Sequence, residues 1–272
     1  MGLLTLTTDF GLEDYYVAAV KAVVLRHASD TRILDITHLI PPGDIAAGAF
    51  VWAAAMPWFP NGGVHLAVVD PGVGSRRRIL VAVTETGWLV APDNGLLTHL
   101  LDATLPVLPA ASRILSVRSV EREDLFLPGP GQTFHGRDRF APVAAWLLRG
   151  GAAEELGPEI EDPLRLAIEP ARREPGALSG SIIHIDIYGN VVTNIPSSWV
   201  GGSERPDVNV EVDGRTIRRL VTHYEEISPG EAAILPGSAG TLELSLRGES
   251  LSRQWNIRRG SGVRVQISEM PA

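Results

Sequence analysis

Val64-His65-Leu66-Ala67-Val68-Val69-Asp70-Pro71-Gly72-Val73-Gly74 is the stretch on which the fold turns. A nearly continuous apolar run ended by Asp-Pro-Gly reads as a strand buried on both faces that stops in a loop at its carboxyl end. Such a strand belongs in the middle of a parallel or mixed sheet. Before it, Leu3 to Thr7 is a short β-prone run, and Tyr15 to Arg26 has helical length, with Val17, Val20, Val24 and Leu25 able to share one face. Ile33 to Ile36 repeats the strand signal, and after the Pro41-Pro42-Gly43 turn the alanine-rich stretch from Ile45 to Ala55 repeats the helix.

After the central run, Ile79 to Thr84 and Gly87 to Val90 read as a strand pair, Gly95 to Leu101 as a helix start, and Phe140 to Leu148 as an apolar helix ended by Gly150-Gly151. Alternation of this kind predicts an α/β domain with a central, mostly parallel sheet over residues 1–165. Proline, glycine and charge then dominate, so 166–180 is expected to be a linker. In 181–272, runs such as Ser181 to Ile187, Val208 to Val212, Thr241 to Leu246 and Gly262 to Ile267 are separated by turn residues and predict a smaller all-β domain. A length of 272 residues suits two domains, since roughly 150 residues make one.

Composition narrows the chemistry. Basic residues number 24 against 32 acidic ones, a formal charge of -8, which disfavours nucleic acid held by a positive field. No apolar stretch reaches the roughly 18 residues of a membrane span, and the N-terminus lacks a basic segment followed by a long apolar run, so a cytoplasmic protein is expected. Cysteine is absent, which excludes thiolate nucleophiles, disulfides and zinc-thiolate or iron-sulfur sites. Lys21 is the single lysine, in surroundings that fit neither a Schiff base nor a phosphate loop.

Open α/β sheets bind ligands beyond the carboxyl ends of their strands. The polar residues standing there are Thr8-Asp9-Phe10-Gly11, Asp35-Ile36-Thr37-His38, the Asp70 loop and Ala91-Pro92-Asp93-Asn94-Gly95; Thr133-Phe134-His135-Gly136-Arg137-Asp138 adds a dense polar cluster. Asp9 and Asp93-Asn94-Gly95 also make sense as local caps and turns, and Asp35 and His38 as a loop carboxylate and a packed histidine. Arg76-Arg77-Arg78 is a basic turn, yet an acid seven residues before Arg77 across a glycine-rich loop can fold back on it as an ion pair. His135 sits on no apolar face, and an imidazole titrates near neutrality, where an acid-base group is useful.

In this order, Thr8-Asp9-Phe10-Gly11, Asp35-Ile36-Thr37-His38, Val69-Asp70-Pro71-Gly72-Val73-Gly74, Pro92-Asp93-Asn94-Gly95, Phe134-His135-Gly136-Arg137-Asp138 and Asp186-Ile187-Tyr188-Gly189-Asn190 with Thr193-Asn194 resemble the S-adenosyl-L-methionine (SAM) hydroxide adenosyltransferase family, relatives of the fluorinases and chlorinases. The resemblance implies an α/β domain followed by a β-barrel, a homotrimer, and a substrate lying between subunits. It implies that Asp70, Arg77 and His135 activate water and that Asp9 holds the ribose hydroxyls. It further implies that Asp186, Tyr188 and Asn190 contact the amino-acid part and the adenine, and that Ser238 lies near the methionine carboxylate. The reaction implied is attack of water on C5′ of SAM, giving adenosine and methionine, with no cofactor and no metal. One stretch departs from the family: where an Asn-rich, Ala-rich run is usual, this chain has Leu246-Arg247-Gly248-Glu249-Ser250-Leu251.

Three other readings stay open on sequence. Asp70, His135 and Asp138, with Asp9, could ligate a divalent metal in a hydrolase. The polar loops could serve binding of adenosine or SAM without turnover. Halogenation is the weakest, because Asp70 would put negative charge where a halide must sit.

Overall fold

The computed structural model describes residues 2–128, 133–200 and 208–267. It divides into two compact units, one of Met1–Ala103 and Leu108–Leu166, the other of Thr104–Val107 and Ala167–Ala272.

In the first unit the elements are β1 (Gly2–Thr8), α1 (Tyr16–His27), β2 (Thr31–Thr37), α2 (Ile45–Ala55), β3 (Gly63–Val68), β4 (Ile79–Thr84), β5 (Gly87–Pro92), α3 (Thr98–Leu101), β6 (Ile114–Ser119) and α4 (Ala141–Leu148). One sheet runs in the order β2-β1-β3-β5-β4-β6. The strands β2, β1, β3 and β5 are parallel, and β4 is antiparallel to both β5 and β6. The sheet is therefore mixed. The reversal comes from a tight hairpin between β4 and β5, braced by Thr84 Oγ1, which accepts from the Thr86 N–H at 3.1 Å and donates to the Gly87 carbonyl at 3.0 Å. Gly87 has a φ of 148°, and a Cβ there would stand 2.2 Å from the Gly63 carbonyl oxygen, so no larger residue fits.

β3 is buried along its whole length, as its apolar run demands. Leu4, Leu6, Leu66 and Val68 of the sheet pack with Val17, Val20 and Val24 of α1 and with Phe140, Val143 and Leu147 at α4. Alanine-rich α2 starts at Asp44, whose carboxylate caps the Ala47 N–H at 3.0 Å, and Gly48 lets the helix approach Val69 and Leu96 closely.

The second unit holds β7 (Arg172–Glu174), β8 (Ala177–Ile185), β9 (Val191–Pro196), β10 (Val208–Val212), β11 (Arg215–Ile217), β12 (Ala232–Pro236), β13 (Thr241–Leu246), α5 (Leu251–Trp255) and β14 (Gly262–Ile267). Its strands are all antiparallel in the order β11-β10-β14-β8-β9-β13-β12, with β7 added to β8. The two ends meet where the Val221 N–H donates to the Ile234 carbonyl at 2.9 Å and the Ile234 N–H donates to the Arg219 carbonyl at 2.8 Å, nearly closing a barrel. Leu178, Val191, Ile195, Val210, Leu244 and Val265 fill it. Part of the stretch expected as linker, 166–180, is strand: β7 and the start of β8 form an edge hairpin whose charged residues and Gly176 imitate linker composition. Among the described residues no helix is long and apolar enough to cross a membrane.

Candidate active site

The chain leaves β1 for β2 on one side and then returns to place β3 on β1's other side, so the strand order reverses between β1 and β3. A crevice opens at such a point beyond the carboxyl ends, and the residues immediately following these two strands include Asp9 and Asp70. Asp9 Oδ2 accepts from the Gly43 N–H at 2.8 Å. Burial pushes its carboxyl above the ordinary carboxylate value, the charge of Asp70 adding to the push, while the Gly43 N–H opposes it.

The loop after β3 bends back so that Arg77 grips Asp70 with both arms of the guanidinium, Nε donating to Oδ1 at 2.6 Å and Nη2 donating to Oδ2. Both side chains are almost fully buried, 4% exposed for Asp70 and 8% for Arg77, and the guanidinium lies 5.1 Å over the Phe140 ring. Of the three consecutive arginines, Arg76 is exposed and Arg78 turns to Asp93 at 2.6 Å and Asp162 at 2.7 Å. Asn94 Nδ2 donates to the Val69 carbonyl at 2.8 Å. Asp93 and Asn94 thus brace the two stems of the Asp70 loop.

Arg77 Nη2 also donates to His135 Nδ1 at 2.9 Å. A guanidinium has only donors, so Nδ1 must be the acceptor and the imidazole proton sits on Nε2. That Nε2 is buried and has no hydrogen-bond partner among the described residues. Burial first, then the positive charges of Arg139 and Arg77, push the His135 pKa below the usual histidine value, against the opposing charges of Asp70 and Asp138. His135 is neutral near pH 7. It enters a single π-turn, Gly136–Phe140, of the kind that re-aims side chains at functional sites. A Cβ on Gly136 would come within 3.0 Å of Phe10, so this glycine lets the loop carrying Asp9 pack against the turn carrying His135.

The other polar positions of this unit serve each other. Lys21 pairs with Asp35 at 2.6 Å, Asp35 lies 3.1 Å from His38, and Thr8 Oγ1 is 2.8 Å from His38 Nδ1. Asp138 is held by Arg137 through two bonds, 2.6 and 2.9 Å. Two of the four side chains of the metal reading, Asp70 and Asp138, are thus each gripped by an arginine. Among the described residues no group of three or more His, Asp or Glu side chains could hold a metal ion.

In the second unit a cavity of about 550 Å³ is lined by Asp186, Tyr188 and Asn190 on one side and by Tyr224, Ile227 and the 245–250 segment elsewhere. Asp186 ties its loop together: Oδ1 accepts from the Tyr188 N–H at 2.9 Å and the Asn190 N–H at 2.8 Å, and Oδ2 from Asn190 Nδ2 at 2.9 Å. Ser245 Oγ donates to Asn190 Oδ1 at 2.6 Å. With two lone pairs per oxygen and two protons on Nδ2, these four bonds leave one acceptor position on Asp186 Oδ2, one on Asn190 Oδ1 and one donor on Asn190 Nδ2. Tyr188 is exposed. Tyr224 Oη donates to Glu243 Oε1 at 2.5 Å, and burial raises the pKa of both groups, the Tyr224 bond opposing the rise at Glu243.

Two family models match this chain: the SAM hydroxide adenosyltransferase N-terminal domain over residues 4–157 and the C-terminal domain over 180–264. The chain belongs to the SAM hydroxide adenosyltransferase family. A (R)-S-adenosyl-L-methionine hydrolase of Thermus thermophilus is 39% identical over 267 residues, covering 95% of this chain and 97% of that protein. A solved structure of an uncharacterized conserved protein from Thermotoga maritima superposes with a TM-score of 0.85 at 32% identity, covering 97% of this chain and 99% of that one. More distantly, a fluorinase of Actinopolyspora mzabensis is 25% identical over 299 residues, covering 98% of this chain and 97% of that protein.

In this SAM hydroxide adenosyltransferase, Asp70, Arg77 and His135 form one hydrogen-bonded cluster, and Asp9 feels the charge of Asp70. Asp186, Tyr188 and Asn190 border one cavity, and Ser238 is exposed on the turn after β12, outside that lining. Sequence reasoning passed over Tyr224 and Glu243 and met Arg247 only within the 246–251 run, with no role assigned to it. Alternation along β13 sets Glu243 on the polar face with Thr241 and Ser245, so nothing local marks it as buried, although the whole strand is.

Proposed function

We propose that this chain hydrolyses SAM at C5′, water displacing methionine and leaving adenosine. The observation that carries the reading is the buried Asp70–Arg77–His135 cluster at the reversal point of the sheet, in a chain whose family relatives include a named SAM hydrolase.

Sulfonium departs as a neutral thioether, so no acid is needed on the leaving side. Water is the weak partner. As its oxygen bonds to C5′ its protons become strongly acidic, and a positioned carboxylate suffices to take one. Asp70 fills that role: Arg77 fixes both oxygens but leaves each a second lone pair. His135 cannot be the base at Nε2, which already bears the proton, or at Nδ1, which accepts from Arg77. It serves as a neutral donor, its Nε2–H holding the water oxygen so that a lone pair faces carbon.

Asp9 accepts from the ribose hydroxyls. Asp186, Asn190 and Tyr188 receive the amino-acid part and the adenine in the barrel cavity, with Ser238 nearer the methionine carboxylate. Each unit carries part of the contacts a nucleoside joined to an amino acid requires, which supports a site shared between subunits; the assembly proposed is a homotrimer and the place of action the cytoplasm. Dilution to monomers should then abolish turnover, read by sedimentation alongside an activity assay; full activity in a monomer would exclude the shared site. Asp9→Asn keeps one acceptor and adds donors, so KM should rise by about tenfold to a hundredfold with kcat little changed.

The decisive experiment is incubation with SAM in ¹⁸O-water and chromatography of the products. Because the relatives are named for the (R) form, both sulfonium epimers belong in the assay. Label in the 5′ hydroxyl of adenosine supports the proposal; absence of adenosine, or a 5′-halo nucleoside in the presence of halide, rejects it.

A further inference from the structure

One wall of the barrel cavity is a stretch outside the sheet. Residues 222–228 lie between β11 and β12, and they bring Tyr224 and Ile227 to the cavity. Two guanidiniums hold them: Arg219 donates to the Glu226 carbonyl and to Ser228 Oγ at 3.2 Å, and Arg247 takes the carbonyls on either side of Glu226. Arg247, the residue after β13, uses Nη1 to donate to the carbonyls of Glu225 at 3.0 Å and Ile227 at 2.7 Å, and Nη2 to donate to the Glu225 carboxylate at 3.0 Å. Its own backbone is fixed by the neighbouring turn, N–H to the Glu231 carbonyl at 3.2 Å and carbonyl from the Gly230 N–H at 3.2 Å. Tyr224 is pinned twice: Glu243 accepts from its hydroxyl, and the carbonyls that follow it in the chain are gripped by Arg247.

An asparagine amide offers two donors on one nitrogen and could not span two carbonyls and a carboxylate; the arginine fork can. Lysine would supply charge without the fixed geometry.

We propose that Arg247 is a positioning residue for substrate recognition: by fixing the Glu225–Ile227 carbonyls it sets the Tyr224 ring as the wall on which the nucleoside rests. The inference depends on the hydrolase reading of the site.

The test is calorimetric binding of adenosine and steady-state kinetics with SAM for the wild type, Arg247→Lys, Arg247→Ala, Tyr224→Ala and the Arg247→Ala/Tyr224→Ala double variant. Both Arg247 variants should weaken adenosine binding and raise KM by about tenfold, with kcat within about twofold. Because Arg247 acts through Tyr224, the double variant should bind no more weakly than Tyr224→Ala. Wild-type affinity in Arg247→Lys, or a double loss equal to the product of the single losses, would overturn the proposal, as would a lowered melting temperature with unchanged adenosine affinity. Wild-type protein that binds no adenosine would overturn the nucleoside reading of the cavity as well; binding by the wild type with unaltered variants would overturn this inference alone.

Discussion

Asp70→Asn should lower kcat by about a thousandfold while KM for SAM stays within a few-fold, because the carboxylate acts on the water as its bond to carbon forms and adds little to ground-state binding. Asparagine preserves volume but turns an N–H₂ group toward Arg77 or toward the water, and neither position accepts a proton. The pH profile separates Asp70 from His135. The histidine pKa is held below its usual value, so His135 stays neutral, and the wild type active, as pH falls through the range where an ordinary histidine protonates. Activity should decline only at lower pH, when a second proton forces Nδ1 against the guanidinium. A wild-type profile that falls near pH 6.5 with the slope of one proton, or an Asp70→Asn enzyme within tenfold of wild-type kcat, would return the base role to His135.

The largest effect on stability should come from Arg77→Met. Removing the guanidinium leaves the Asp70 carboxylate buried with no counter-charge, a change that typically costs about 3–5 kcal/mol, and Phe140 loses its cationic partner. Chemical denaturation of the variant should show this loss. The Asp70→Asn/Arg77→Met double variant should recover much of it, since no uncompensated charge remains, and additive losses would mean that the pair is not coupled. The single variant should also lose activity, because His135 would then be free to adopt either tautomer.

The sequence discloses whatever depends on neighbours along the chain. The apolar run from Val64 to Val69 with its Asp-Pro-Gly ending locates the central strand and the loop at its carboxyl end, and the spacing from Asp70 to an arginine suggests the pairing seen at 2.6 Å. Residue spacing does not distinguish Arg77 from Arg76 and Arg78; that choice depends on which way each side chain leaves the returning loop, and Asp93 and Asp162 claim Arg78 from distant segments. The edge hairpin at β7 is hidden because an edge strand guarded by Arg172, Arg173 and Glu174 has the composition of a connector. Tyr224, Glu243 and Arg247 carry no local signature at all: each looks like an ordinary surface residue until barrel closure brings them around one cavity.

The bracing of the Asp70 loop has an evolutionary corollary. Asn94 grips the main chain where the loop departs and Asp93 holds the arginine where it returns, so both ends are anchored to a neighbouring strand and not to the loop's interior. Its tip can be rewritten without disturbing the sheet, since closing a loop of altered length between fixed ends costs little free energy. An ancestor with such an arrangement could trade one attacking species for another by rewriting the loop tip alone, leaving the sheet and both anchors in place.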